Sequence, residues 1–236
     1  MAKSAKKELI RQAVIAGVIG AALVVALTKR GWLGPSLFAR DFNHFDYNVE
    51  FNRITPALIL WVIFSIYWTI ASRNSAENKS SESNTSTALH QIMLNVALLQ
   101  LFIPVPGLKG WFLPQRFLFL VAVGVIVQVA FFVLAILARR HLGRNWSAEV
   151  RIGEGHELVR TGPYRLLRHP IYTAMLGMFL GTAIASSQYH ALLGVGILVM
   201  AYLRKTRLEE NILRETFGTE WDAYRRTTWA FVPLVF

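Results

Sequence analysis

The chain has 236 residues, of which 54% are hydrophobic and 17% charged, and it contains no cysteine. A soluble domain is about 45–50% apolar and about 25% charged, so this composition excludes a disordered chain, and the lack of cysteine excludes a disulfide-stapled secreted scaffold. The net charge of +11 is compatible with nucleic acid, with anionic lipid or with the basic loops of a membrane protein.

Six segments of the chain are apolar enough to form transmembrane helices. A bilayer core about 30 Å thick is spanned by about 20 mostly apolar residues. In chain order, the predicted spans are residues 9–27, 54–71, 88–105, 117–138, 171–187 and 189–203. The last two are short and only Gln188 separates them, which predicts a tight helical hairpin. We therefore predict an all-α fold, a polytopic membrane bundle of about six helices.

The basic residues predict the orientation of this bundle. With the N-terminus in the cytoplasm, 19 of the 25 basic residues fall in cytoplasmic segments. Such a bias follows the rule that loops rich in lysine and arginine stay inside. The sequence thus predicts a multi-pass integral membrane protein with both termini in the cytoplasm. The net charge is explained by topology, so no nucleic-acid partner is expected.

Two cytoplasmic segments, residues 139–170 and 204–236, flank the predicted hairpin and carry most of the chemically useful side chains. We divide the chain into an N-terminal four-helix region, residues 1–138, and a catalytic region, residues 139–236. In the first segment, Pro170 suits the first turn of a helix. The histidines and glutamates follow no zinc-site spacing, so no metal site is predicted. An alternative interpretation is that Arg160, Arg165 and Arg168 only anchor lipid headgroups.

The hairpin and the tail contain further local signals. Gly177 and Gly181 form a small-xxx-small pair, which permits close helix packing, and we expect the 189–203 helix to be the partner. Glu209 and Glu210 lie where the last span leaves the bilayer. Carboxylates at such a position are costly and often bind a polar ligand, although a solvated ionic network is the alternative. Gly218 predicts a break between two helical pieces.

Several of these residues together resemble the isoprenylcysteine carboxyl methyltransferase family. The resemblance covers about residues 139–236 and depends on two motifs in a fixed order. The motif residues are Gly162-Pro163-Tyr164, Arg168-His169-Pro170-Ile171-Tyr172, and then Glu209-Glu210, Phe217-Gly218, Trp221, Tyr224 and Pro233. The first motif precedes the hairpin and the second follows it.

This resemblance implies an integral membrane enzyme that uses S-adenosylmethionine, with the cofactor pocket formed by the loop before the hairpin and by the C-terminal tail. The implied cofactor-binding residues are His156, Glu157, Leu158, Val159, Tyr164, His169, Pro170, Ile171, Tyr172 and Glu209. Lys205 or Arg207 would be the catalytic residue that holds the carboxylate of the acceptor, and Arg207 is favoured because a guanidinium can donate two hydrogen bonds to a carboxylate. Glu210 would join Arg207 in substrate binding. The implied acceptor is lipophilic, such as a prenylcysteine-type carboxylate, and enters from the membrane lipid.

Two alternatives from other classes remain. A set of membrane sterol reductases that use NADPH shares the R-H-P-x-Y element and a G-x-x-W-x-x-Y ending like residues 218–224, but this chain has the pair Glu209-Glu210 and lacks the cysteine found there. A non-catalytic membrane protein or transporter is the third hypothesis. Transporters usually show internal repeats or interrupted helices, and the sequence has neither signal.

Overall fold

The computed structural model describes residues 47–72, 83–103, 108, 112–113, 118–143, 146 and 158–233. Within these residues the α-helices are α1 Tyr47–Ser72, α2 Asn84–Gln100, α3 Phe119–Leu142, α4 Pro170–Ser186, α5 Tyr189–Phe217 and α6 Thr219–Arg226. A 3-10 turn, Gly162–Arg165, precedes α4. The described residues contain no extended strand, and only an isolated parallel bridge joins Leu167 to Trp229. The predicted all-α class is confirmed.

Five of the six predicted spans coincide with helices α1 to α5, and the first, residues 9–27, lies outside the described residues. In the described part of the chain, two stretches are long and apolar enough to cross a bilayer, Arg53–Ala71 in α1 and Phe119–Leu142, which is α3. The helix α4 is apolar but has 17 residues. The helix α5 continues past the predicted end at residue 203 to Phe217, so Glu209 and Glu210 lie on one continuous helix with the span.

Buried arginines join the helix ends and define the directions of α1, α3 and α4. The Arg53 side chain, near the start of the apolar part of α1, donates to the Ala185 carbonyl at the end of α4 over 3.4 Å. The Arg139 side chain, near the end of α3, donates to the Ala71 carbonyl at the end of α1 over 2.6 Å. Each arginine satisfies carbonyl groups that a helix end leaves without a partner. Accordingly, α1 and α3 run parallel and α4 runs antiparallel to both.

The small residues of α4 pack against α3, so the expectation that they face the 189–203 helix is wrong. A Cβ atom on Gly181 would lie 2.6 Å from the Gly124 carbonyl oxygen and 2.7 Å from the backbone nitrogen of Gln128. On Gly177 it would overlap the ring of Phe131. The reason is that Gly124 supplies a matching small residue on α3, which lets the two backbones meet. The small residue Gly194 of α5 faces α2, where it lies against the Ala97 carbonyl.

An aromatic cluster fills the space between α1, α3 and α4. The Trp61 ring lies 5.1 Å from Phe179 in an edge-to-face arrangement. Its indole nitrogen donates to the Thr182 hydroxyl over 3.0 Å, so this buried polar atom is satisfied. Phe64 and Phe132 meet at 5.7 Å and extend the cluster to α3. These contacts hold the C-terminal half of α4 in a fixed position relative to α1 and α3.

Candidate active site

Backbone hydrogen bonds join the loop before α4 to the C-terminal tail. The Arg168 amide donates to the Trp229 carbonyl over 2.7 Å, and the His169 amide donates to the Ala230 carbonyl over 3.1 Å. In return, the Trp229 amide donates to the Leu166 carbonyl over 3.0 Å. We call this pairing of residues 166–169 with residues 229–230 the clasp. It holds the two predicted functional segments together at the start of α4.

Local sequence explains why His169 lies at the head of α4. Pro170 occupies the first turn, where its missing N–H is not needed, and His169 is the residue before the helix, as the sequence predicts. Upstream, Gly162 adopts a φ of +58°, and a side chain there would overlap the ring of His141 at the end of α3. Glycine is therefore required at this turn, where the loop before α4 packs against the end of α3.

The carboxylate of Glu209 lies among aromatic rings that come from α4 and α5. The Tyr172 hydroxyl donates to one Glu209 oxygen, and the His169 Nδ1 atom lies 3.5 Å from the other. The Tyr172 ring stacks on Tyr202 with centroids 4.4 Å apart and an interplanar angle of 16°. The His169 ring lies parallel to Tyr172 at 5.5 Å. The result is a largely buried carboxylate, 19% exposed, surrounded by aromatic faces.

Glu210 anchors the other side of His169. The Arg168 Nε atom donates to Glu210 over 2.9 Å, and the His169 Nε2 atom lies 3.3 Å from the same carboxylate oxygen. A third cation, Arg225, approaches the second oxygen at 3.5 Å. The two consecutive glutamates therefore share His169, with one carboxylate on each ring nitrogen. This arrangement fixes the orientation of the imidazole.

The ionisation of the cluster follows from these contacts. Burial by itself would lower the pKa of His169, but hydrogen bonds with Glu209 and Glu210 outweigh burial and raise it. Burial would raise the pKa of Glu210, but His169 and Arg168 outweigh that effect and lower the pKa to about 2. For Glu209 burial likewise opposes ionisation, but His169, the charge of Lys205 and the Tyr172 hydroxyl together lower its pKa. At neutral pH the structure therefore favours two carboxylates with an imidazolium between them.

These shifts predict a pH dependence of stability that belongs to His169. A raised pKa means that its contribution is fully present below the ordinary value of 6.5 and is lost as the pH rises through the folded-state pKa. We expect the thermal unfolding midpoint of the wild type to fall, relative to the His169→Gln variant, as the pH is raised from about 6 to about 9. Glu210 stays ionised throughout this range and adds no slope.

The measurement is the difference between the two midpoints at each pH in the same detergent. Parallel profiles for the wild type and His169→Gln would contradict the protonated state that the geometry implies.

Lys205 and Arg207 lie on opposite faces of α5. Lys205 is 1% exposed and its charge acts on Glu209, one helical turn away. Arg207 is exposed and lines a separate pocket with Ser86 of α2. Two residues along an α-helix differ by about 200° around the axis, so Arg207 cannot share the Glu209 face. Of the two predicted basic residues, the structure brings only Lys205 to the aromatic carboxylate cluster.

The other predicted site residues have different positions. Tyr164 is buried and its carbonyl accepts a hydrogen bond of 2.6 Å from the Tyr224 hydroxyl. Pro170 is buried, whereas Leu158, Val159 and Ile171 are half-buried near the loop and the start of α4. His156 and Glu157 lie outside the described residues.

The motif residues do not include Tyr202, which completes the aromatic stack. It lies seven positions before Glu209, and a separation of seven places two residues on the same helix face. That spacing could have identified Tyr202 from the sequence, but it requires α5 to continue without a break from the apolar span through the tail. Arg168 is part of the R-H-P-x-Y motif, yet its pairing with Glu210 joins segments that are far apart in the chain and is visible only in the fold.

Comparison with known proteins gives consistent matches over this region. Residues 119–220 match the model of the phospholipid methyltransferase family. Protein-S-isoprenylcysteine O-methyltransferase A of Arabidopsis thaliana is 25% identical over 197 residues, which cover 80% of this chain and 96% of that protein. A solved structure of the eukaryotic intramembrane Ras methyltransferase ICMT, at 15% identity, covers 96% of this chain and 98% of that chain with a TM-score of 0.55. The chain is therefore similar to protein-S-isoprenylcysteine O-methyltransferases over most of its length.

The chain also resembles a bacterial protein with a different name. The nickel-cobalt-cadmium resistance protein NccN of Alcaligenes xylosoxydans xylosoxydans is 38% identical over 95 residues, but the match covers 39% of this chain and 44% of that protein. The family resemblance predicted from the motifs is confirmed. The part of the chain that matches the phospholipid methyltransferase model, residues 119–220, contains the R-H-P-x-Y element, Glu209 and Glu210.

Proposed function

We propose that this protein is a membrane methyltransferase that uses S-adenosylmethionine to methylate the carboxylate of a prenylcysteine-type acceptor on a lipidated protein. The similarity to protein-S-isoprenylcysteine O-methyltransferases supports methyl transfer to an oxygen of such an acceptor. The observation that carries the proposal is the position of Glu209, a largely buried carboxylate between His169 and Tyr172. That cluster lies at one end of two helices apolar enough to cross a bilayer.

The chemistry of the cluster fits this methyl donor. The ammonium group, ribose hydroxyls and sulfonium of S-adenosylmethionine need an anionic acceptor and electron-rich surfaces. The described residues provide the ionised Glu209 and the stacked rings of Tyr172 and Tyr202. When bound, the cofactor supplies a methyl group on a positively charged sulfur, and a carboxylate acceptor needs no proton removed before it attacks.

The residues of this chain then act by positioning the ligands and by excluding water. Tyr172 and His169 fix both oxygens of Glu209, so the carboxylate is oriented before a ligand binds. The clasp closes the loop and the tail over the start of α4 and keeps water from that side. Glu210 and Arg168 are positioning residues, because they hold the imidazole and the clasp rather than facing the aromatic stack. Positioning and water exclusion are the main requirements for transfer from an activated donor.

For the acceptor, we propose that Lys205 supplies the positive charge that attracts its carboxylate. Lys205 lies on the Glu209 face of α5 and is 1% exposed, where a charge acts more strongly than in water. Arg207, the other predicted basic residue, points away from this cluster. The acceptor's prenyl chain would reach the site from the bilayer, along the apolar part of the helices.

We also propose that the protein spans the membrane several times with both termini in the cytoplasm, and that residues 1–138 support a catalytic region of residues 139–236. The antiparallel arrangement of α4 with α1 and α3 supports alternating spans. The continuation of α5 from the 189–203 span to Glu209 supports a site at the cytoplasmic interface.

The test of the function is ligand binding followed by transfer. Purified protein in detergent should bind S-adenosylmethionine or its demethylated product in a calorimetric titration and should methylate a farnesylcysteine analogue. The Lys205→Met variant should raise KM for that acceptor more than it lowers donor affinity, and Lys205→Arg should partly restore KM.

The same titration separates the other hypotheses. Binding of NADPH without binding of S-adenosylmethionine would reject the methyltransferase in favour of the reductase. Failure to bind either nucleotide would favour a non-catalytic membrane protein.

A further inference from the structure

Two arginines on the side of α5 that faces away from Glu209 line a pocket that the proposed reaction does not use. The pocket has a volume of about 480 Å³ and lies between α5 and the first turn of α2. Its lining residues are Ser86, Met200, Leu203, Arg204, Arg207, Leu208 and Asn211. We call it the Arg204–Arg207 pocket. It combines two guanidinium groups and two neutral polar side chains with three apolar ones.

The guanidinium groups have unused donor capacity. The Arg204 Nη2 atom donates to the Ser86 hydroxyl over 2.5 Å. Its Nη1 atom is buried and has no hydrogen-bond partner among the described residues. Arg207 is exposed, and within the described part of the chain no acidic side chain forms an ion pair with Arg204 or Arg207. A buried donor without an acceptor is costly, so this geometry favours a ligand that offers several anionic oxygens.

The position of the pocket relative to the membrane, together with its apolar wall, indicates the kind of anion that would bind. Met200 and Leu203 belong to the last turn of the predicted span 189–203, and Arg204 is the first residue after it. The pocket therefore lies at the level where headgroups meet the hydrocarbon. Met200 is 56% exposed, as expected for a side chain that faces lipid. Ser86 lies in the first turn of α2, whose N-terminal end carries partial positive charge.

We propose that the Arg204–Arg207 pocket binds the phosphate of an anionic phospholipid, with the acyl chains lying along Met200 and Leu203. Arginine presents paired donors that match phosphate oxygens. A free phosphate ion would use the same donors but would leave the apolar wall of the pocket uncovered. The proposal does not rest on the methyltransferase activity, because Arg204 and Arg207 are on the face of α5 opposite to the Glu209 cluster.

The experiment is a calorimetric titration of the full-length protein, in a neutral detergent, with dioctanoylphosphatidylglycerol. We expect saturable binding, and affinity at least about tenfold lower for dioctanoylphosphatidylcholine, whose headgroup has no net charge. Inorganic phosphate and glycerophosphoglycerol, which lack acyl chains, should also bind at least about tenfold more weakly, since the apolar contacts are missing. These two arms separate a lipid headgroup from a free phosphate.

Variants connect the binding to the pocket. Arg204→Gln and Arg207→Gln should each weaken phosphatidylglycerol binding about tenfold. The matched control is Arg214→Gln, an arginine on the same helix whose side chain is 63% exposed and pairs with Asp222 outside the pocket. Arg207 is exposed, so its variant should fold even if the Arg204 variant does not.

Three outcomes would overturn the proposal. They are equal affinity for the two lipids, unchanged binding by Arg207→Gln in folded protein, and inorganic phosphate that binds as tightly as the lipid. The last of these would assign the pocket to a free anion.

Discussion

Replacing Glu209 with alanine is expected to reduce the affinity for S-adenosylmethionine at least about 100-fold and to abolish methyl transfer. The physical reason is that Glu209 is the ionised carboxylate at the centre of the aromatic cluster, held by Tyr172 and His169. Loss of two charge-assisted hydrogen bonds to a ligand accounts for an effect of about this size. Calorimetric titration of the purified variant and a methyl-transfer assay measure it.

The control for Glu209→Ala is Glu215→Ala, which removes an exposed glutamate from the same helix. That variant should bind the donor like the wild type. Glu209→Gln keeps the size of the side chain and removes only the charge, so it separates electrostatics from packing. Tyr172→Phe keeps the ring stack and should cause a smaller loss. Wild-type donor affinity in a folded Glu209→Ala protein would reject the proposed cofactor site.

Substitution of Gly181 by valine is expected to give the largest loss of stability. A Cβ atom at this position would lie 2.6 Å from the Gly124 carbonyl oxygen and 2.7 Å from the Gln128 backbone nitrogen. These neighbours are backbone atoms, which cannot rotate away as a side chain can, so α3 and α4 must separate. Overpacking of this kind typically costs about 1–3 kcal/mol and occasionally more. The thermal unfolding midpoint in detergent and the fraction of monodisperse protein measure the effect.

Gly196 provides a matched control for this substitution. It lies inside α5, and a Cβ atom there would meet nothing within 4 Å. Gly196→Val should therefore leave the unfolding midpoint close to that of the wild type, apart from the small difference in helix propensity. If Gly181→Val were as stable as Gly196→Val, then the close crossing of α3 and α4 would be wrong.

The sequence alone does not determine whether Lys205 or Arg207 lies beside Glu209. Both are basic residues shortly before Glu209, and the resemblance admitted either one as the acceptor-binding residue. The choice depends on whether α5 is one uninterrupted helix, because only then does the spacing place Lys205 on the Glu209 face and Arg207 opposite to it. An apolar span followed by a charged tail does not reveal that continuity.

The amino-acid sequence by itself determined the features that depend on short-range chemistry. Apolar runs predicted the helices, Pro170 predicted where α4 begins, Gly218 predicted where α5 ends, and the ordered motifs predicted the family resemblance. These signals are local, since a run of apolar side chains, a proline or a left-handed glycine constrains the backbone at its own position.

Only the tertiary structure decided which faces of the helices contact each other. It directed the glycines of α4 toward α3 rather than α5, because Gly124 offers the matching small surface. It also joined the loop before α4 to the tail, so that His169 came between Glu209 and Glu210. Contacts of this kind link residues about 40 or more positions apart, and they depend on the shapes of all the packed helices together, which no local pattern specifies.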